Sequence, residues 1–252
     1  MPVAQSLERS ASLTYGPPEQ MAVCMARLLR DGETVFHGVA SPLPMVAILL
    51  AKRLHAPRLG YLNVGCGVDP APSRLPLSTV SPASAAGTTS IFPLAEIFDL
   101  SARGGLDVAF LGGVQIDRQG RINMSVSGDP RYPRVRLPGG AGAAALMPTA
   151  GRTILWRAKH TPGAFVERVS FVTAQGRVDR VITPLCVFVL WDGALAVESI
   201  HAYSSASEVR RNTGFAVEAN QDTPITPPPT AEELAALEAL DPERVRTIEF
   251  RT

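Results

Sequence analysis

Paired cysteines, net charge and long apolar runs are what this sequence lacks. Its three cysteines, Cys24, Cys66 and Cys186, are an odd set without paired spacing. That excludes a disulfide framework, argues against a structural zinc site and reads as free thiols packed in a core. With 24 basic and 23 acidic side chains the formal charge is only +1. Such a balance gives no electrostatic footprint for nucleic acid or an anionic membrane. No apolar run reaches the roughly 18 residues a membrane-spanning helix needs, and the opening MPVAQSLERSASLTYG lacks the basic-then-apolar order of a signal peptide. A cytoplasmic protein is therefore expected. Familiar catalytic signatures are missing too: there is no Gly-x-Ser-x-Gly elbow, no Gly-Lys-Ser/Thr, and no spaced glycine triplet opening a helix.

What is present is apolar substance. Hydrophobic residues make up 46% of 252 positions, enough for one globular domain with a sizeable core. Met21, Cys24, Met25, Leu28 and Leu29 recur at helical spacing within Glu19 to Arg30. A strand follows over Thr34 to Val39, a helix over Pro44 to Leu54 with Lys52 and Arg53 in its last turn, and a strand over Leu59 to Val64. Strand, helix and strand in so short a span form a βαβ unit, which implies a parallel sheet with a right-handed crossover. The Pro-, Ser- and Ala-rich region Asp69 to Gly87 reads as a surface excursion with at most one strand near Leu77 to Val80. A helix over Pro93 to Ala102 then feeds Leu106 to Leu111, a strand apolar enough to be buried on both faces.

Further strands are expected at Val166 to Val172, Val178 to Thr183 and Val187 to Trp191, with Gly193 turning the chain into Ala194 to Ile200. Three regions result: a lead-in over 1–18, an α/β domain over 19–221, and a tail over 222–252. In the tail, prolines between Thr223 and Pro229 make an extended linker, and Thr230 caps a helix running through Leu240.

Glycine clusters are the strongest chemical signal. Gly112 and Gly113 directly follow the buried strand, and Gly139-Gly140-Ala141-Gly142 opens a run of alanines that suits a helix. Backbone amides fixed at such places suit a phosphate or a developing oxyanion, and tight turns would use the same glycines. His37, His55, His160 and His201 lie scattered without metal spacing and read as structural. Asp117, just past the strand, fits a turn or cap.

The run Phe110-Leu-Gly-Gly-Val-Gln-Ile-Asp-Arg-Gln-Gly-Arg-Ile-Asn123 continues to Gly128-Asp129, Tyr132-Pro133, the Gly139 to Gly142 cluster, Ser204-Ser205, and Glu208-Val-Arg-Arg-Asn-Thr-Gly-Phe215. As a set these motifs resemble the β subunit of family I CoA-transferases. Pro42-Leu43-Pro44, Ala51-Lys52-Arg53 and Ala56-Pro57 resemble the glutaconate CoA-transferase branch in particular. The likeness covers about Glu19 to Phe215. It implies an open, mainly parallel α/β sheet of the CoA-transferase type with helices on both faces. It also implies a cytoplasmic hetero-oligomer with an α-like subunit and a CoA thioester as substrate rather than a permanently bound cofactor.

By the same resemblance, Gly112 and Gly113 let substrate approach the strand end, Gln115 lines an acyl pocket, and Gly139, Gly140 and Gly142 offer amides to the thioester oxygen. The family's nucleophile is a glutamate that carries CoA as a glutamyl thioester. Counting forward from Ala56-Pro57, its position falls on Val64, and no glutamate lies between Glu33 and Glu96. The nearest alternative groups are the Cys66 thiol and the Asp69 carboxylate. The missing nucleophile leaves three readings open: a transferase subunit, a CoA-thioester hydrolase or carbon–carbon lyase, and a non-catalytic CoA-binding scaffold.

Overall fold

The computed structural model describes residues 14–251. The expected βαβ unit is its nucleus. Strand β1 (Thr34–His37) leads through helix α2 (Pro42–Leu54) to β2 (Gly60–Asn63), which pairs parallel with β1. Helix α1 (Pro17–Arg27) precedes them, with two prolines in its first turn and Glu19 accepting from Gly16 N at 2.9 Å. After β2 come the short strands β3 (Gly67–Val68) and β4 (Ser90–Ile91), then helix α3 (Ala95–Ala102) and strand β5 (Val108–Gly112).

The chain next leaves the main sheet for β6 (Gln115–Asp117), β7 (Ile122–Asn123) and the hairpin β8 (Val126–Gly128) and β9 (Pro133–Arg136). It returns through α4 (Ala143–Thr149) to β10 (Arg152–Trp156). Then follow β11 (Phe165–Val166), β12 (Val178–Ile182), β13 (Cys186–Trp191), β14 (Ala194–Ile200), α5 (Ala206–Asn212) and α6 (Ala231–Leu240).

The main sheet has nine strands in the order β14-β13-β12-β10-β5-β1-β2-β3-β4. Its five central members, β12 through β2, run parallel, and antiparallel strands flank them on both sides. Alternating side chains feed two cores. Val35, Tyr61, Phe110 and Ile154 join α1 and α2 on one face, while Phe36, Leu62, Leu111 and Leu155 join residues of α3, α4 and the small sheet β11-β6-β7 on the other.

The structure corrects several sequence expectations. Leu77 to Val80 is no strand: both end residues are exposed, and the regular turn nearby is a 3-10 helix at Pro82–Ala85. Of Val166 to Val172 only Val166 is in a strand, because beyond it no neighbour offers a ladder and Val169 N turns to the Asp117 carboxylate at 3.2 Å. The β10 strand was not expected. Ile154, Leu155 and Trp156 are its apolar signal, obscured by arginines on both sides.

The Pro-rich segment and final helix lie against the first helices. Thr226 N and Pro224 O bracket Ile200 as an extra rung beside β14, and Leu237 and Val245 share the core of α1 and α2. Among the described residues no helix is long and apolar enough to cross a membrane.

Candidate functional site at the carboxyl edge of the parallel strands

Because β1, β2, β5, β10 and β12 are parallel, their carboxyl ends share one edge, where open α/β sheets place ligands. His37, Asn63, Gly112, Trp156 and Ile182 are the last strand residues there.

Past β2 the chain makes a tight turn in which Cys66 N donates to Asn63 O at 3.0 Å. The buried Asn63 side chain staples this turn, donating to Ser84 O at 2.6 Å and accepting from Gly67 N at 2.9 Å. A Cβ at Gly65 would lie 2.3 Å from Ser84 Oγ, so a side chain there would have to displace that hydroxyl. Val64 is half-buried and packs on the core shared by α3 and α4.

Cys66 is half-buried in a left-handed conformation (φ 69°), and among the described residues its thiol reaches only Val64 O, at 3.9 Å. Among the described residues no base contacts the thiol. Asp69 is tied down. Its Oδ1 accepts from Lys52 Nζ at 2.6 Å and from Tyr61 N at 3.0 Å, which holds the loop back onto β2 rather than freeing a general base. By contrast, Cys24 and Cys186 are pushed by burial to about 11 and about 12 and are inert core thiols.

The two glycines at the end of β5 differ. A Cβ at Gly113 would crowd Gln115 O at 3.0 Å and Ile122 at 3.1 Å, so its place is steric. Gly112 meets only the Trp156 ring, at 3.5 Å. Gln115 is fixed between Asn123 Nδ2 (2.9 Å) and Gly163 O (3.2 Å).

In the second cluster, Gly139 N already donates to Met124 O at 2.7 Å, leaving it no amide to offer a ligand. Gly140 and Gly142 donate to no backbone carbonyl among the described residues, and Gly142 leads into α4. A Cβ at Gly140 would meet Thr173 Cγ2 at 2.5 Å, and one at Gly142 would meet Phe98 at 2.8 Å. A bulky substitution at Gly140 would thus disturb packing as well as chemistry.

Asp117 is fully buried and accepts from the backbone N–H groups of Gln119, Arg121 and Val169 and from the Arg121 guanidinium at 2.7 Å, the turn role the sequence indicated.

Three histidines are buried and neutral. His37 bonds Tyr61 Oη at 2.6 Å; His160 sits between Thr183 and Thr213; His201 sits between Thr226 and Thr183 O. Burial pushes them down to about 4, about 3 and about 4 respectively. The folded chain therefore binds fewer protons than the unfolded chain below the unfolded pKa of about 6.5, and stability is lost as pH falls through that value toward 4. Glu249 acts in the opposite sense, because burial raises it to about 7. Three histidines against one glutamate leave a net loss of about 3 kcal/mol per pH unit near pH 5. Urea midpoints between pH 7.5 and 5 should fall accordingly, and a flat profile would show these histidines to be solvated.

Sequence reasoning passed over Asn63, Ser84, Thr173, Arg157 and Glu249. All bear on this edge through contacts between distant segments, and only the strand-end position of Asn63 was available as a signal.

The chain belongs to the coenzyme A transferase family, which its residues 19–201 match. Within that family it is of the β type. It is 32% identical to the β subunit of the 3-oxoadipate CoA-transferase of Pseudomonas knackmussii, with 90% of this chain and 94% of that protein covered. It is 28% identical to the β subunit of the glutaconate CoA-transferase of Acidaminococcus fermentans, over 90% and 93%. Among solved structures it resembles the decarboxylase AibA/AibB with a TM-score of 0.87 and 33% identity, covering 91% of this chain and 96% of that one. Against the variant of that decarboxylase with a cysteine replaced by valine the identity is 34%, whereas the serine, alanine and asparagine variants stay at 33%.

Proposed function

We propose that this chain is the β-like member of a two-subunit enzyme that acts on CoA thioesters of short dicarboxylic acids, and that it works as a carbon–carbon lyase of the decarboxylating kind. The observation that carries this reading is the turn after β2, which bears Val64, a Cys66 in the left-handed region whose thiol meets no base among the described residues, and no carboxylate until Asp69, itself bound to Lys52. A valine neither attacks a thioester nor holds CoA, so the glutamyl route of a transferase lacks its nucleophile.

Decarboxylation needs no covalent carrier. The bond to the carboxyl carbon breaks, CO₂ leaves, and the electron pair delocalises onto the thioester oxygen as an enolate, which a proton then quenches. What the protein must supply is a fixed site for that oxyanion, and the free amides of Gly140 and Gly142 suit it.

The test is product analysis. The chain is co-expressed with an α-like partner and given glutaconyl-CoA with and without acetate. Carbon dioxide release independent of acetate is expected. Acetyl-CoA formed in proportion to acetate would restore the transferase, and free glutaconate with free CoA would establish a hydrolase.

A further inference from the structure

Arg157 follows β10 at the same edge. Its N–H donates to Ile182 O at 3.1 Å, and the preceding Trp156 pairs with Gly112. The residue is thus fixed between β10 and β12, one position past the strand that borders the Gly112-Gly113 turn. It is half-buried, its Nε is enclosed without a hydrogen-bond partner, and its side chain makes no ion pair among the described residues.

One carboxyl group, Glu249, is near enough to act on Arg157 through its charge. Yet both Glu249 oxygens are engaged elsewhere: Oε1 accepts from Trp156 Nε1 at 3.1 Å and Oε2 from Leu43 N at 3.2 Å. Burial also lowers the Arg157 pKa, though a guanidinium stays charged at neutral pH. The other buried or half-buried arginines among the described residues have carboxylate partners: Arg27 has Glu233, Arg121 has Asp117, Arg152 has Glu33 and Asp179, Arg180 has Asp179 and Glu198, and Arg246 has Glu19 and Asp241. A half-buried guanidinium without an acceptor costs stability, and that cost is offset when a bound anion supplies the oxygens.

We propose that Arg157 receives the free carboxylate of the acyl group when a dicarboxylic CoA ester binds at the carboxyl edge. This rests on the functional reading above and names the residue that sets its substrate class. The planar fork of a guanidinium matches a carboxylate with two parallel hydrogen bonds. Glutaconate and 3-oxoadipate, the acids that name two relatives, each keep a second carboxylate when one is esterified to CoA. The neighbouring Glu249 remains with Trp156 and the start of α2, so it does not compete for the fork.

The assembled two-subunit enzyme is titrated with glutaryl-CoA and with butyryl-CoA, which differ mainly in the terminal carboxylate. Wild-type enzyme should bind glutaryl-CoA about 10- to 100-fold more tightly. Arg157→Gln should erase that preference, leave butyryl-CoA binding unchanged, and leave the unfolding midpoint unchanged or higher. Arg157→Lys should retain part of the preference. In decarboxylation of a dicarboxylic ester this carboxylate leaves as CO₂, so the contact is made in the ground state and lost in the transition state, and Arg157→Gln should raise KM and kcat together with kcat/KM within a few-fold. Equal wild-type affinity for the two esters overturns the proposal, as does an equal loss of both in Arg157→Gln or a lowered midpoint. Wild-type enzyme that binds neither ester sinks the functional reading itself, and this inference with it.

Discussion

Borohydride should leave the assembled enzyme active, even after incubation with acyl-CoA. A transferase that carries CoA on a glutamate is destroyed by this treatment, because the enzyme-bound thioester is reduced. Counting forward from Ala56-Pro57, the position of that glutamate falls on Val64, and no glutamate lies between Glu33 and Glu96. The contrast is large, since complete retention is set against complete loss. Hydroxylamine, which intercepts the same intermediate, should be equally harmless.

Val64→Glu would put a carboxylate onto a half-buried site on the apolar α3 and α4 face. Its pKa would rise, and the substitution should cost several kcal/mol, read as a lower urea midpoint. A reduced adduct found by mass spectrometry on Glu33 or Glu96 of the wild-type chain would show that another acid serves as nucleophile. An adduct on Cys66 would restore that thiol to the mechanism.

Arg246→Ala should be the most destabilising single substitution in the tail. Arg246 is fully buried and binds three carboxylates: Glu19 at 2.9 Å, Asp241 at 3.2 Å, and Glu238. Two of these, Glu19 and Asp241, are themselves buried. Removing the cation leaves them uncompensated, which costs about 3–5 kcal/mol. Asp241 also accepts from Val245 N and Arg246 N, and Glu19 caps α1, so the loss would loosen the 3-10 turn Val245–Phe250 from the first helix. Glu249 belongs to that turn, so its contacts with Trp156 and Leu43 should weaken as well. Urea unfolding measures the first effect and limited proteolysis of the tail the second. Adding Glu19→Gln and Asp241→Asn should recover part of the loss, because neutral partners need no cation. An Arg246→Ala midpoint close to wild type would show the network to be solvated in solution.

Sequence by itself determined the elements that depend on local periodicity and on turn chemistry. The βαβ unit of β1, α2 and β2 was legible from β-branched runs, a helix-length apolar stretch and the prolines at its start. So were β5, from its unbroken apolar run, the β13 and β14 hairpin at Gly193, and the Thr230 cap of α6. The CoA-transferase family was legible as well, because its glycine, glutamine and asparagine motifs keep their order along the chain. These signals are local, so a linear text preserves them.

Tertiary structure alone decided which polar groups are free to act. Asp69 looks like a spare carboxylate until Lys52, seventeen residues earlier, closes on it. Gly139 looks like a free amide donor until Met124 O accepts its hydrogen bond. Arg157 looks like one more surface arginine until the fold encloses its Nε and commits the nearby Glu249 to Trp156 and Leu43. A hydrogen bond between distant segments leaves no periodic trace, and whether a charged or polar group is satisfied depends on neighbours that only folding brings within about 3 Å.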